Sequence, residues 1–308
     1  MMRWTAVAAV ASALALEIDS GLAQEVNPAG RPFPKLQLPA HARGAEIISA
    51  LGDRLPEVAA FYGKSSAELR SIATRDHSIR ADRAGRLHYV CDALPRVEAG
   101  AGAGAAESIV AAGPYPASDT FLLHSRPGAT KVIYLDFTGH TTSGTSWNSA
   151  YTGGTDFTTP PFDIDGNPAS FSATELDRIQ YIWQRVAEDY APFDVDVTTQ
   201  DPGVEALRKT SSSDANYGVR VCIGGSCYDW FGYSAGGVAY VGCFSWSSDT
   251  PCFVFPAQLG NGAEKYTAEA ISHEAGHTLG LHHDGKTDGT AYYEGQGNWA
   301  PIMGVGYY

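Results

Sequence analysis

The chain has 308 residues, 44% of them hydrophobic and 18% charged, enough apolar material for a packed core, which excludes a largely disordered polypeptide. Its 21 Lys+Arg against 34 Asp+Glu leave a net charge of -13. Such a field repels polyanions and argues against nucleic acid as a partner.

At the amino end, Arg3 supplies a positive charge and Thr5 to Leu16 form a short apolar run. Gly21-Leu22-Ala23 follows with the small residues that a signal peptidase reads. The run falls short of the roughly 20 apolar residues that a spanning helix needs. Residues 1–23 are therefore predicted to be a signal peptide, and the mature protein to be secreted, extracellular or periplasmic, with no membrane partner. A monomer is expected.

Residues 24–97 read as a separate, mildly basic segment. The capping box Ser65-Ser66-Ala67-Glu68 opens a short helix, and a turn at Asp82-Arg83-Ala84-Gly85 leads into a strand over Leu87-His88-Tyr89-Val90. Residues 98–118, beginning with a run of Ala and Gly, read as a linker open to proteolytic nicking. Before residue 99, the exported chain holds 11 Lys+Arg against 9 Asp+Glu, a net of +2. Residues 99–308 hold 9 against 23, a net of -14, so the first part can dock electrostatically on the second.

The remainder, 119–308, is expected to form the main folded domain. Lys131 to Phe137 reads as a strand. The capping box Ser172-Ala173-Thr174-Glu175 opens a helix with Leu176, Ile179, Trp183, Val186 and Tyr190 on one face, and Pro192 stops it. Phe193 to Thr199, Tyr217 to Ile223, Val238 to Val241 and Phe253 to Phe255 are further strands, and a last helix begins near Thr267. The expected fold class is α/β (α+β): a twisted mixed sheet with a backing helix and a second helix that carries the chemistry. Asp163-Ile164-Asp165-Gly166-Asn167 begins like a calcium loop, but Thr174 stands where the closing Glu belongs, so a Gly-containing turn is expected.

Of five cysteines, Cys222 and Cys227 lie close together, as do Cys243 and Cys252. Three pairings are open; two local disulfide bridges are preferred because both loops are short. Cys91 is left over.

The last helix carries His273-Glu274-Ala275-Gly276-His277-Thr278-Leu279-Gly280-Leu281-His282-His283. Residues four apart share a helix face, so His273 and His277 can present nitrogens to one ion. Glu274 lies beside them as a general base. Gly280 can end the helix at positive φ and swing His283 back as a third ligand. Three histidines leave a fourth position for water, the arrangement of a catalytic zinc site.

This pattern resembles the metzincins, zinc endopeptidases with HExxHxxGxxH followed by a Met-containing turn. Ala300-Pro301-Ile302-Met303-Gly304 resembles that turn and would put Met303 beneath the metal. The resemblance covers about residues 130–308. It implies Zn2+ as cofactor, protein or peptide substrates, synthesis as a proenzyme held by its own propeptide, and a small lower subdomain after His283. Some relatives have a tyrosine two residues after the Met, where this chain has Val305, with Tyr307 and Tyr308 nearby. The chain ends five residues past Met303, which suggests truncation or a minimal lower subdomain.

Cysteine-switch relatives hold the precursor latent with a thiolate on zinc. Cys91 is available for that, but His88-Tyr89-Val90-Cys91-Asp92 does not match their motif, so it reads as a buried or spare thiol. Asp284 reads as an outer or surface group, His282 as solvated, and Glu188 and Asp189 as surface acids. Two alternatives stay open. Glu294 could be the third ligand, as in another zinc-peptidase clan, or the protein could be a secreted zinc-binding module with a vestigial site.

Overall fold

A computed structural model describes residues 25–93, 112–286, 290, 292–297 and 299–305. The expected signal peptide, residues 98–111 of the linker, Tyr307 and Tyr308 lie outside them.

The amino-terminal segment contains β1 (Ala42–Arg43), α1 (Glu46–Leu51), α2 (Leu55–Phe61), α3 (Ser66–Arg75), β2 (Ile79–Ala81) and β3 (Leu87–Cys91). The Ser65–Glu68 capping box opens α3 with both reciprocal hydrogen bonds formed. Phe33, Ile47, Leu55, Val58, Leu69 and Leu87 fill a core of this segment, to which Val241 is added from beyond the linker.

The second part contributes β4 (Lys131–Asp136), β5 (His140–Thr142), α4 (Ser146–Tyr151), β6 (Phe157–Thr159), α5 (Ala173–Asp189), β7 (Asp196–Thr198), β8 (Tyr217–Ile223), β9 (Gly237–Tyr240), β10 (Cys252–Val254) and α6 (Glu264–Thr278). Glu175 caps α5 from a fully buried position, accepting from Ser172 and from the Ile164 backbone at 2.9 Å. Asp163 accepts three backbone N–H groups of the turn that follows it, so the expected Gly-containing turn forms, with Gly166 at φ 84.

Among the described residues, eight strands form one mixed sheet in the order β1-β2-β3-β9-β10-β8-β4-β7. β7, β4, β8 and β10 run parallel, and β9, β3, β2 and β1 add antiparallel to their neighbours. Strands buried on both faces, such as the Val219-Val221-Ile223 row of β8, sit in the middle of the parallel half. The α5 face with Ile179, Ile182, Trp183 and Val186 packs with α6, whose Ala268, Ala270 and Ala275 are small and whose Ile271 joins the same core, and α6 in turn lies against β9 and β10.

The amino-terminal segment docks by backbone pairing. β3 lies beside β9 in the register His88↔Tyr240, Tyr89↔Ala239, Val90↔Val238 and Cys91↔Gly237. Tyr240 Oη donates to Asp82 at 3.0 Å, and Arg80 lies over the ring of Tyr233. A strand ladder thus joins the two parts, with the Tyr240–Asp82 and Arg80–Tyr233 contacts beside it.

The expected disulfides are corrected: Cys91, Cys222, Cys227, Cys243 and Cys252 are all buried free thiols. Cys222 is fixed in the ladder of β8 with β4 and β10. The Gly224-Gly225 turn, pressed on Pro160, then leads Cys227 to Gln258, whose side chain accepts its N–H at 3.0 Å. Cys243 sits in a 3-10 turn and Cys252 in β10.

Candidate metal centre

α6 ends where the sequence requires. Leu281 N–H donates to Gly276 O at 3.1 Å and Gly280 N–H to His277 O at 2.9 Å, a Schellman closure. Gly280 has φ 91, which a side chain disfavours. The chain turns back there, and His283 comes to face His273 and His277.

The three Nε2 atoms stand 3.1 Å (His273–His277), 3.1 Å (His277–His283) and 3.0 Å (His273–His283) apart. Each ring has an acceptor at Nδ1: Ile302 O at 2.7 Å for His273, Leu281 O at 2.9 Å for His277, and Asp76 Oδ2 at 2.8 Å for His283. Burial lowers the pKa of His273 to about 3, and burial with neighbouring imidazoles lowers that of His277 well below its usual value. A neutral imidazole carries one N–H, which the Nδ1 acceptor takes. The Nε2 lone pairs of His273 and His277 therefore point at one place beside His283 Nε2, an arrangement that suits a bound cation.

Cys91 Sγ completes the cluster, 3.4 Å from His277 Nε2 and 3.6 Å from His283 Nε2, with all four donor atoms within 4.8 Å of one another. A tetrahedral zinc ion would need about 3.4 Å between nitrogens and about 3.6 Å between nitrogen and sulfur. The donor set fits zinc. Cys91 is the buried thiol that the sequence led us to expect, and it lies beside the histidines. Its neighbours match no switch motif, but antiparallel pairing with Gly237 delivers it to the histidines.

Glu274 is fully buried, and burial raises its pKa to about 8, with Cys91 acting in the opposite direction. Its Oε2 has no hydrogen-bond partner. Burial and the adjacent Glu274 push the Cys91 thiol up in turn. Met303 is buried against α6: a Cβ at Gly276 would stand 2.5 Å from Met303 Sδ. The preceding residue, Ile302, supplies the carbonyl that holds His273.

Other expected residues fall differently. Asp284 is exposed, with its N–H donating to Met303 O at 2.8 Å. His282 is half-buried rather than solvated, its Nδ1 2.9 Å from Tyr89 Oη, and burial lowers its pKa to about 4. Asp189 is also half-buried and accepts from Ser272 Oγ at 2.6 Å. Glu294 is exposed beside Lys286, 4.0 Å away, and is not among the clustered donors. Val305 carries no hydroxyl; among the described residues, the ring of Tyr292 lies beside His283, with centroids 4.0 Å apart. Asp76 and Tyr89, which stacks on His277 at 4.0 Å, come from the amino-terminal segment, where no motif singled them out.

No curated protein matches the chain. Residues 179–284 match the family model described as Metallo-peptidase family M12B Reprolysin-like. That segment runs from within α5 through β7, β8, β9 and β10 to the residue after His283, and over it the chain is similar to metzincin-type zinc metallopeptidases.

Proposed function

We propose that this chain is the latent precursor of a secreted zinc endopeptidase, with His273, His277 and His283 as metal ligands and Glu274 as general base. The convergence of three Nε2 atoms, each ring braced at Nδ1, is the observation that carries the reading. The family match supports peptidase chemistry and protein substrates.

When bound, zinc would supply Lewis acidity for water and for a peptide carbonyl. The chain's own contribution is positioning and proton transfer. Glu274, held in a buried pocket, takes a proton from the attacking water on its carboxylate and returns it to the leaving amine nitrogen. Its neighbour Gly237 leaves the space its carboxylate occupies. The fixed imidazoles keep their lone pairs on one point without reorganisation.

Residues 24–97 act as the propeptide. β3 fills the edge of β9, where an extended substrate strand would otherwise pair, and Cys91 places its sulfur beside both the histidines and Glu274. One segment thus blocks the peptide track, the fourth coordination position and the base. The switch rests on strand register rather than on a local motif.

The test is casein cleavage by zinc-loaded full-length protein as wild type, Cys91→Ala and Cys91→Ala/Glu274→Ala. Once residues 98–118 are cut, the first variant should cleave casein and the second should fall to background while still binding zinc. Cleavage by the double variant at the single variant's rate would remove Glu274 from the mechanism. A Cys91→Ala protein as silent as wild type, before and after cutting in residues 98–118, would favour a vestigial site.

A further inference from the structure

The three rings are braced unequally. His273 and His277 find their Nδ1 acceptors in backbone carbonyls of the same part of the chain, Ile302 and Leu281. His283 finds a side-chain carboxylate, Asp76 Oδ2 at 2.8 Å, from the other side of the linker. Asp76 follows α3, and its N–H closes that helix on Ile72 O at 2.9 Å. Its Oδ1 accepts the Ser78 N–H at 2.9 Å and the Ser78 hydroxyl, which leaves Oδ2 aimed at the ring. The Ser78 Oγ stands 3.1 Å from the same Nδ1. The His283 side chain is 1% exposed and that of Asp76 8%, so water does not compete for the bond. Asp76 has no part in blocking the site: it approaches His283 from behind, on the ring nitrogen opposite the converging Nε2.

A carboxylate behind a metal-binding imidazole fixes the tautomer that leaves Nε2 free, limits ring rotation and raises the donor strength of the ligand. The His283 loop needs such help, since His283 lies beyond the end of α6 and no helical hydrogen bonds hold it.

We propose that Asp76 is a positioning residue for His283, so that the amino-terminal segment helps to build the metal centre that it also covers. This rests on His283 being a ligand. It follows that the full-length chain is the form that takes up metal most tightly. Cutting the linker and releasing the segment removes the outer carboxylate together with Cys91.

The test is zinc affinity of the full-length chain, by competition with a chromophoric chelator, for wild type, Asp76→Ala, Asp76→Asn and His283→Ala, with near-ultraviolet circular dichroism as the check on folding. Asp76→Ala should bind about 10–100-fold more weakly, the range for loss of such a partner. Asp76→Asn keeps the volume and an acceptor but not the charge, and should lose about tenfold. It carries the test if the alanine variant does not fold. His283→Ala should lose more than either. With Co2+ in place of zinc, the ligand-field bands of Asp76→Asn should shift while its circular dichroism stays that of wild type, a signature that a merely structural aspartate would not give. Wild-type affinity and unshifted bands in the Asp76 variants, with His283→Ala impaired, overturn this inference alone. Wild-type affinity in His283→Ala overturns the metal-site reading with it.

Discussion

Gly237 and Glu274 meet with no room for a methyl group between them: a Cβ at Gly237 would stand 2.5 Å from both Cγ and Oε1 of Glu274 and 2.7 Å from Cδ. The glycine lies on β9, opposite Cys91 in the register with β3. One backbone position therefore borders both the proposed base and the proposed latency thiol.

Gly237→Ala should displace the Glu274 carboxylate while leaving the imidazoles in place. A displacement of about 1 Å can cost about 100-fold in rate. In the processed protein we expect a loss of that order in kcat/KM with zinc content unchanged. Wild-type turnover would mean that the carboxylate position is not critical, and loss of zinc would mean that β9 itself moved.

Arg220 is buried between two acids, its Nη1 2.7 Å from Asp136 Oδ2 and its Nε 3.1 Å from Asp249 Oδ2. Removing one partner of such a cluster strands charge in a low-dielectric interior, typically at about 3–5 kcal/mol. Arg220→Met should lower the unfolding free energy by that amount in a urea titration. A loss below about 1 kcal/mol would show that water reaches the acids.

His88 lies on β3 with no exposed surface, its Nε2 2.5 Å from Tyr151 Oη, and burial lowers its pKa to about 3. The unfolded chain, with an ordinary pKa near ~6.5, binds the proton first as pH falls. Stability from this group is therefore complete above pH ~6.5 and is lost between there and about 3. Between pH 7 and pH 5 the loss is about 2 kcal/mol. The His88→Phe variant should show a pH dependence flatter by that amount. An unchanged slope would mean that His88 is protonated in the fold.

The histidine cluster was legible because its geometry is local. A four-residue spacing fixes His273 on the face of His277, and a positive φ at Gly280 reverses the chain to His283. The sheet was legible too: Tyr217 to Ile223 reads as a strand and is β8. The six-residue α4 was not, since its capping box closes through Thr145 and Asn148 where the sequence reading sought Glu or Gln. The placement of Cys91 beside the histidines was not either. It comes from pairing between β3 and β9, which are separated by about 150 residues, and no local pattern encodes such a register. The same holds for Asp76, 207 residues from its partner His283. Disulfide pairing failed for a related reason, as spacing gives loop length but not the direction of a side chain in a ladder.

The most direct measurement is zinc K-edge X-ray absorption on stoichiometrically loaded full-length protein. The account requires a four-coordinate shell of three imidazole nitrogens at about 2.0–2.1 Å and one sulfur at about 2.3 Å, with the sulfur lost in Cys91→Ala. A shell without imidazole scattering, or a chain that takes up no stoichiometric zinc, would contradict it.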